Sequence, residues 1–184
     1  MTDLADDKQI SEIVRRVVAA MREDGAAPAP KPAGRVQPAA LIRTIGLVVD
    51  RPDAKVDAAL ASAARAGVVF RCYGDDDCPI VNTRQMCGAV CEGQVAGGVI
   101  IDRYAAAAMV LAGKCPHVRP VQGVSVQAVQ AGLRQFDANV LVLGHATLSV
   151  YEIKSMIDRF AAGRRMGRDK TLLLNVLDEI EGAS

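Results

Sequence analysis

Two Asp–Arg pairs are the residues best suited to chemistry, since each directly follows an apolar run that predicts a strand. The pairs are Asp50–Arg51 and Asp102–Arg103. A carboxylate can act as a general acid or base, and a guanidinium can hold an anion through two hydrogen bonds. The pairs therefore indicate a site for a small, partly anionic molecule. The alternative is that each pair is a salt bridge that caps the helix after it.

Other polar candidates are a histidine and a basic cluster. His145 follows a further apolar run, and Arg164, Arg165 and Arg168 come near the end of the chain. On a helical turn, Arg164 and Arg168 would share one face suited to a phosphate or a carboxylate; a solvated charged turn is the alternative. Because the chain has only two histidines, we expect no histidine-rich metal site, and no cofactor is predicted.

The five cysteines are an odd number, which favours free thiols over a disulfide framework. Cys87 and Cys91 share a helix face, but their spacing differs from that of the redox CxxC motif. We therefore interpret both as small buried apolar residues.

Strand-like and helix-like segments alternate from Thr44 onward. This order predicts right-handed βαβ units and an α/β, Rossmann-like three-layer α/β/α domain with a five-stranded parallel sheet. Ligands of such sheets bind beyond the carboxyl ends of the strands, where both Asp–Arg pairs would lie. The predicted strands are 45–49, 68–73, 97–101, 119–123 and 140–143, and the predicted helices are 54–66, 82–92, 105–113, 127–136, 150–161 and 172–180.

The sequence before this domain, which spans residues 43–184, has a different character. Residues 1–24 carry apolar side chains at helical spacing, and residues 25–42 are rich in Pro and Ala. We expect a tethered amphipathic helix on a semi-rigid linker, and such a helix needs a partner to bury its stripe. The stripe consists of Ile10, Ile13, Val14, Val17, Val18 and Met21.

Charge and hydropathy exclude several classes of partner. Lys and Arg total 22 against 21 for Asp and Glu, so neither nucleic acid nor a membrane surface is an expected partner. No apolar run reaches membrane-spanning length, and the chain starts with acidic residues rather than a basic secretory signal. We expect a cytoplasmic protein.

The stretch Gln135–Gly144, QFDANVLVLG, resembles a segment of the type B ribose 5-phosphate isomerases and the galactose 6-phosphate isomerase subunits that reads His-Asn-Asp-Ala-Asn-Val-Leu. Asn139 is retained. The resemblance covers roughly residues 43–184 and implies an isomerase fold and a homodimer or tetramer, with sites completed across the interface.

Several positions fit motifs of that family. Asp50 and Arg51 fall on the Asp and His of its Ser-Asp-His-Ala-Gly turn, and Arg119 falls on the Arg of Asn-Lys-x-Pro-Gly-Ile-Arg. Arg164 and Arg168 fit the closing Gly-Arg-His-x-x-Arg, whose arginines contact substrate phosphate in the family.

The resemblance breaks down at the family's chemistry. Its catalytic base opens a Cys-Gly-Thr-Gly-x-Gly loop, where this chain has Asp102, Arg103, Tyr104 and three alanines. Gln135 and Phe136 fall on the family's ring-opening His and its Asn, and Gln cannot do general acid–base work. From the strand ends and the resemblance together, we expect three catalytic residues, Asp102, Asp50 and Asn139. The expected substrate-binding residues are Arg51, Arg103, Tyr104, Arg119, Gln135, Arg164 and Arg168.

Residues 1–24 resemble the encapsulation peptides of bacterial microcompartment enzymes, which pack on shell or cargo proteins. The alternatives are a local oligomerisation helix and a disordered tail. We therefore expect a microcompartment cargo enzyme with a remodelled site. The specific hypothesis is decarboxylation of a carboxylated urea-type, carboxybiuret-like intermediate of cyclic-imide degradation. The alternatives are an aldose–ketose isomerase of a phosphorylated sugar and a non-catalytic cargo scaffold.

Overall fold

Five short apolar segments form one parallel sheet in the computed structural model, which describes residues 44–74, 78–163 and 172–182. The sheet has the order β2-β1-β3-β5-β4, and all neighbouring strands are parallel. The three central strands are almost wholly buried, as expected for a sheet covered on both faces. The strands are β1 Thr44–Val49, β2 Val69–Cys72, β3 Gly98–Asp102, β4 Pro120–Gln122 and β5 Val140–Gly144.

Helices cover both faces of the sheet, which confirms the predicted three-layer α/β/α architecture. Helices α1, α4 and α5 pack on one face through residues such as Val56, Leu133 and Ile157, and α2 and α3 pack on the other through Met86 and Ala108. The helices are α1 Ala54–Arg65, α2 Pro79–Cys91, α3 Ala105–Gly113, α4 Val126–Gln135 and α5 Val150–Ala162, and a short 3-10 helix spans His145–Thr147.

The packing of α2 on the sheet depends on two glycines that lie side by side. Gly46 of β1 and Gly98 of β3 are register partners, and the fully buried Met86 of α2 lies over both. A methyl group added at Gly98 would lie 2.1 Å from Met86 Sδ. The two glycines therefore let the helix approach the sheet closely.

The chain divides into two units, and residues 41–169 contain the α/β sheet. Leu172–Gly182 forms a helix, α6, that belongs to the other unit. The predicted helix within residues 1–24 and the linker at 25–42 lie outside the described residues. In the part of the chain that is described, no helix has the length and apolar character needed to cross a membrane.

Candidate active site

The two Asp–Arg pairs lie at adjacent strand ends on the carboxyl edge of the sheet. The Asp50 N–H donates to the Ile101 carbonyl at 2.8 Å, which brings the turn after β1 beside the end of β3. Among the described residues, neither Asp50–Arg51 nor Asp102–Arg103 forms an ion pair, and neither carboxylate caps a helix. The capping alternative is therefore wrong, and both carboxylates are available for a ligand.

Arg51 adopts a backbone conformation that is rare for its residue type. Its φ of +51° lies in the left-handed region, and its side chain is exposed. A non-glycine residue held there stores strain, which functional sites often contain. This observation supports a role for the Arg51 side chain at the carboxyl edge.

The turn after β3 leads into the N-terminus of α3. Tyr104 precedes α3 without making a side-chain capping hydrogen bond, and the first turn of the helix has no acidic residue. Backbone N–H groups at such a helix start favour an anion. Tyr104 is exposed, and the Arg103 guanidinium lies 5.6 Å from the centre of its ring. The N-terminus of α3 is thus suited to negative charge, and it directly follows Asp102, Arg103 and Tyr104.

Asp53 and His145 form a further polar pair at the carboxyl edge of the sheet. Asp53 caps α1 by accepting hydrogen bonds from the Lys55 and Val56 N–H groups, and its Oδ2 lies 3.3 Å from Nδ1 of the buried His145. Lys55 Nζ donates to the His145 carbonyl at 2.6 Å. The pKa of Asp53 is lowered, chiefly by the Val56 N–H and also by Lys55 and His145.

The sequence placed His145 at this edge but gave no sign of Asp53 as its partner. Ala146 N–H donates to the Arg103 carbonyl at 3.2 Å. The short helix that contains His145 is therefore bonded to the turn that carries Asp102 and Arg103. An Asp directly before a predicted helix is a strong N-cap signal, which marks Asp53 as the start of α1 but does not indicate its contact with His145.

Asn139 and Arg119 lie at the opposite, amino edge of the sheet. Asn139 is buried; its Oδ1 accepts from the Arg119 N–H at 2.7 Å, and its Nδ2 donates to the His117 carbonyl at 2.8 Å. Arg119 Nη2 lies 3.2 Å from Asp137 Oδ2. In a single chain the structure does not bring these side chains to Asp50 or Asp102, and Asn139 holds the loop before β4.

The structure describes one of the three other predicted site residues. Gln135 is exposed at the C-terminal end of α4, whereas Arg164 and Arg168 lie outside the described residues. Within the described ranges, no group of three or more His, Cys, Asp or Glu side chains is arranged to hold a metal ion.

The sequence pattern of the ribose/galactose isomerase family matches residues 54–174, which is more than half of the chain. The chain belongs to the ribose/galactose isomerase family. The matched segment includes the Asp102–Arg103 turn and Asn139 and begins after Asp50 and Arg51. No curated protein matches the chain by sequence.

Solved structures of ribose 5-phosphate isomerases have the same fold as this family member. The Thermotoga maritima protein has a TM-score of 0.66 at 12% identity, over 74% of this chain and 98% of the other. The type B protein of Trypanosoma cruzi has a TM-score of 0.68 at 19% identity, over 77% and 100%. The Clostridium thermocellum protein has a TM-score of 0.67 at 17% identity, over 76% and 98%. At these identities the likeness shows the fold alone.

Proposed function

We propose that this isomerase-family protein is an enzyme that acts on a small anionic substrate at the carboxyl edge of its sheet. The observation that carries the proposal is the pair of adjacent Asp–Arg turns, whose carboxylates make no ion pair among the described residues. Arg51, Arg103 and the start of α3 supply positive potential for the anion. Asp102 supplies a carboxyl group for proton transfer.

The reaction that we propose is decarboxylation of a carboxylated urea-type compound. The bond between nitrogen and the carboxylate carbon breaks, CO2 leaves, and the electron pair stays on nitrogen. A proton delivered through Asp102 then neutralises that nitrogen. Arg51 and Arg103 hold the substrate and stabilise the charge that develops, a role that needs pre-positioned cations rather than a glycine-rich loop.

Isomerisation of a phosphorylated sugar is the second candidate, and membership of the ribose/galactose isomerase family favours it. In this reaction Asp102 would be the base that moves a proton between adjacent carbons. Against it, Gln135 stands where the resemblance places a ring-opening histidine, and an amide cannot take up or release the proton. The non-catalytic scaffold remains a third alternative.

We further propose at least a dimer, because one chain cannot surround a small ligand with all the predicted site residues. Asn139 precedes β5, and Gly144, at its other end, is the register partner of Asp102. Five residue steps of a strand span roughly 16 Å, too far for both residues to contact a small molecule. A second copy could bring its Arg119 and Gln135 to the Asp102 site.

Residues 1–24 suggest where the enzyme works. We propose that the stripe from Ile10 to Met21 binds a shell or cargo protein and retains the enzyme in a bacterial microcompartment. The amphipathic spacing supports this assignment. Deletion of residues 1–24 should leave turnover by the purified enzyme unchanged and abolish its retention with shells.

Parallel assays on the purified protein separate the three alternatives. One assay follows CO2 release from a carboxylated urea, and the other follows conversion of ribose 5-phosphate to its ketose. Accelerated CO2 release without sugar conversion supports the decarboxylase. Sugar conversion alone supports the isomerase, and silence in both assays favours the scaffold.

A further inference from the structure

Three thiols converge where the end of α2 meets the turn after α3. Cys87 and Cys91 lie one helical turn apart on α2, and Cys115 comes just after α3. The Cys91 thiol donates to the Pro116 carbonyl at 2.9 Å. The Cys115 thiol donates to the Leu111 carbonyl at 3.6 Å and also interacts with the Cys87 thiol. These contacts bring together three of the five cysteines of the chain.

The three thiols differ in their access to solvent. Cys87 is fully buried in the apolar core, and burial first, then Cys115 and Cys91, raises its thiol pKa. Cys91 is exposed and Cys115 is half-buried. The interpretation of both helix cysteines as buried apolar residues is therefore confirmed for Cys87 and wrong for Cys91. Cys91 is the thiol that a solvent-borne reagent meets first.

We propose that Cys91 and Cys115 form a reversible disulfide when the protein meets a low-molecular-weight disulfide such as oxidised glutathione. The Cys91 thiol loses its proton to solvent and attacks one sulfur of the reagent, whose other half leaves as a thiolate and takes up a proton. The Cys115 thiolate then attacks the Cys91 sulfur and displaces the second glutathione. In total, two cysteine thiols are oxidised and one glutathione disulfide is reduced to two thiols.

A Cys91–Cys115 disulfide would also affect the loop at the amino edge of the sheet. Cys115 begins the segment 115–119, in which the His117 carbonyl and the Arg119 N–H both bond to the Asn139 side chain. A Cys91–Cys115 disulfide would tie that segment to the end of α2. Oxidation would thereby restrict the loop that Asn139 organises.

The test uses the full-length protein incubated with oxidised glutathione, followed by thiol counting and peptide mapping. We expect loss of two of the five titratable thiols, a peptide that links Cys91 to Cys115, and full recovery with dithiothreitol. Retention of all five thiols, or a link between any other pair, would overturn the proposal. The peptide map of the wild-type protein alone decides whether the disulfide forms, so the test does not depend on the folding of any variant.

Matched variants separate the two steps. Cys91→Ser keeps a hydroxyl donor for the Pro116 carbonyl and should abolish the crosslink. Cys115→Ser should stop the reaction at one glutathione adduct on Cys91. Cys72→Ser removes an exposed cysteine of β2, outside the cluster, and should leave the crosslink unchanged. A crosslink of Cys91 that persists in Cys115→Ser would contradict the assignment.

Discussion

His145 Nδ1 lies 3.3 Å from Asp53 Oδ2, so a buried imidazole at the end of β5 faces the carboxylate that caps α1. The two residues join the turn after β1 to the turn after β5. Lys55, which donates to the His145 carbonyl at 2.6 Å, reinforces the same link. Asp53 therefore serves both the start of a helix and the alignment of the carboxyl edge.

Replacing Asp53 with Asn should make stability less dependent on pH. Asn remains a good N-cap, so the change chiefly removes the charge. Because the folded-state pKa of Asp53 is lowered, its stabilisation is fully present above the ordinary carboxyl pKa and is lost as pH falls through the folded value. Urea denaturation from neutral to acid pH should show Asp53→Asn less stable than wild type at neutral pH.

That difference in unfolding free energy should vanish in acid. Asp57→Asn, a change to an exposed carboxylate on the same helix, is the control and should leave the acid-dependent loss intact. Parallel pH profiles of Asp53→Asn and wild type would contradict the assignment.

Arg51→Gly should relieve backbone strain and weaken substrate binding. Glycine accepts the left-handed φ of +51° without steric cost, so relief of strain should raise the free energy of unfolding by about 1 kcal/mol over Arg51→Ala. Both variants lose the guanidinium and should bind substrate more weakly. Thermal unfolding measures the stability of the two variants, and KM reports their substrate binding. Equal stability of Arg51→Gly and Arg51→Ala would contradict strain at this position.

Asn139→Ala should destabilise the domain strongly. The change leaves the Arg119 N–H and the His117 carbonyl, bonded at 2.7 and 2.8 Å, without their side-chain partner. Loss of these two partly buried bonds should cost roughly 2–4 kcal/mol. Gln122→Ala, at an exposed amide on β4, should change stability by less than about 0.5 kcal/mol. A loss at Asn139 no larger than at Gln122 would contradict its structural role.

Gly98→Ala should also destabilise the fold, since its methyl group would meet Met86. Overpacking of this kind costs about 1–3 kcal/mol. A smaller residue at Met86 should recover part of the loss, which a double-mutant cycle measures. Gly88→Ala is the matched control, because a methyl group there meets nothing within 4 Å, and it should stabilise α2. Additive effects of Gly98→Ala and the Met86 change would argue against the contact.

The alternation of apolar strands and amphipathic helices was sufficient to predict the sheet and its layers. The bounds of α3 were predicted to the residue, because a continuous alanine-rich run ends at Gly113. The start of α2 was predicted three residues late. Pro79 opens that helix, where its missing N–H costs nothing, although the residue more often signals a loop.

The candidate site was only partly predictable. Asp50, Arg51, Asp102 and Arg103 follow strands, and parallel topology alone places them at one edge. Asn139 directly precedes the predicted strand 140–143, so the same topology places it at the opposite edge. Only the structure shows it buried, with its side chain bonded to the Arg119 N–H and the His117 carbonyl. The pairing of side chains distant in sequence depends on tertiary geometry.

The most direct test of the central claim is the initial rate of Asp102→Asn in whichever of the two reactions the wild type catalyses. Asn has nearly the same shape and can neither donate nor accept the proton in question, so the rate should fall about 100-fold or more. Thermal unfolding should remain like that of the wild type. A well-folded Asp102→Asn variant that retains the wild-type rate would contradict an active site at the carboxyl edge built around this carboxylate.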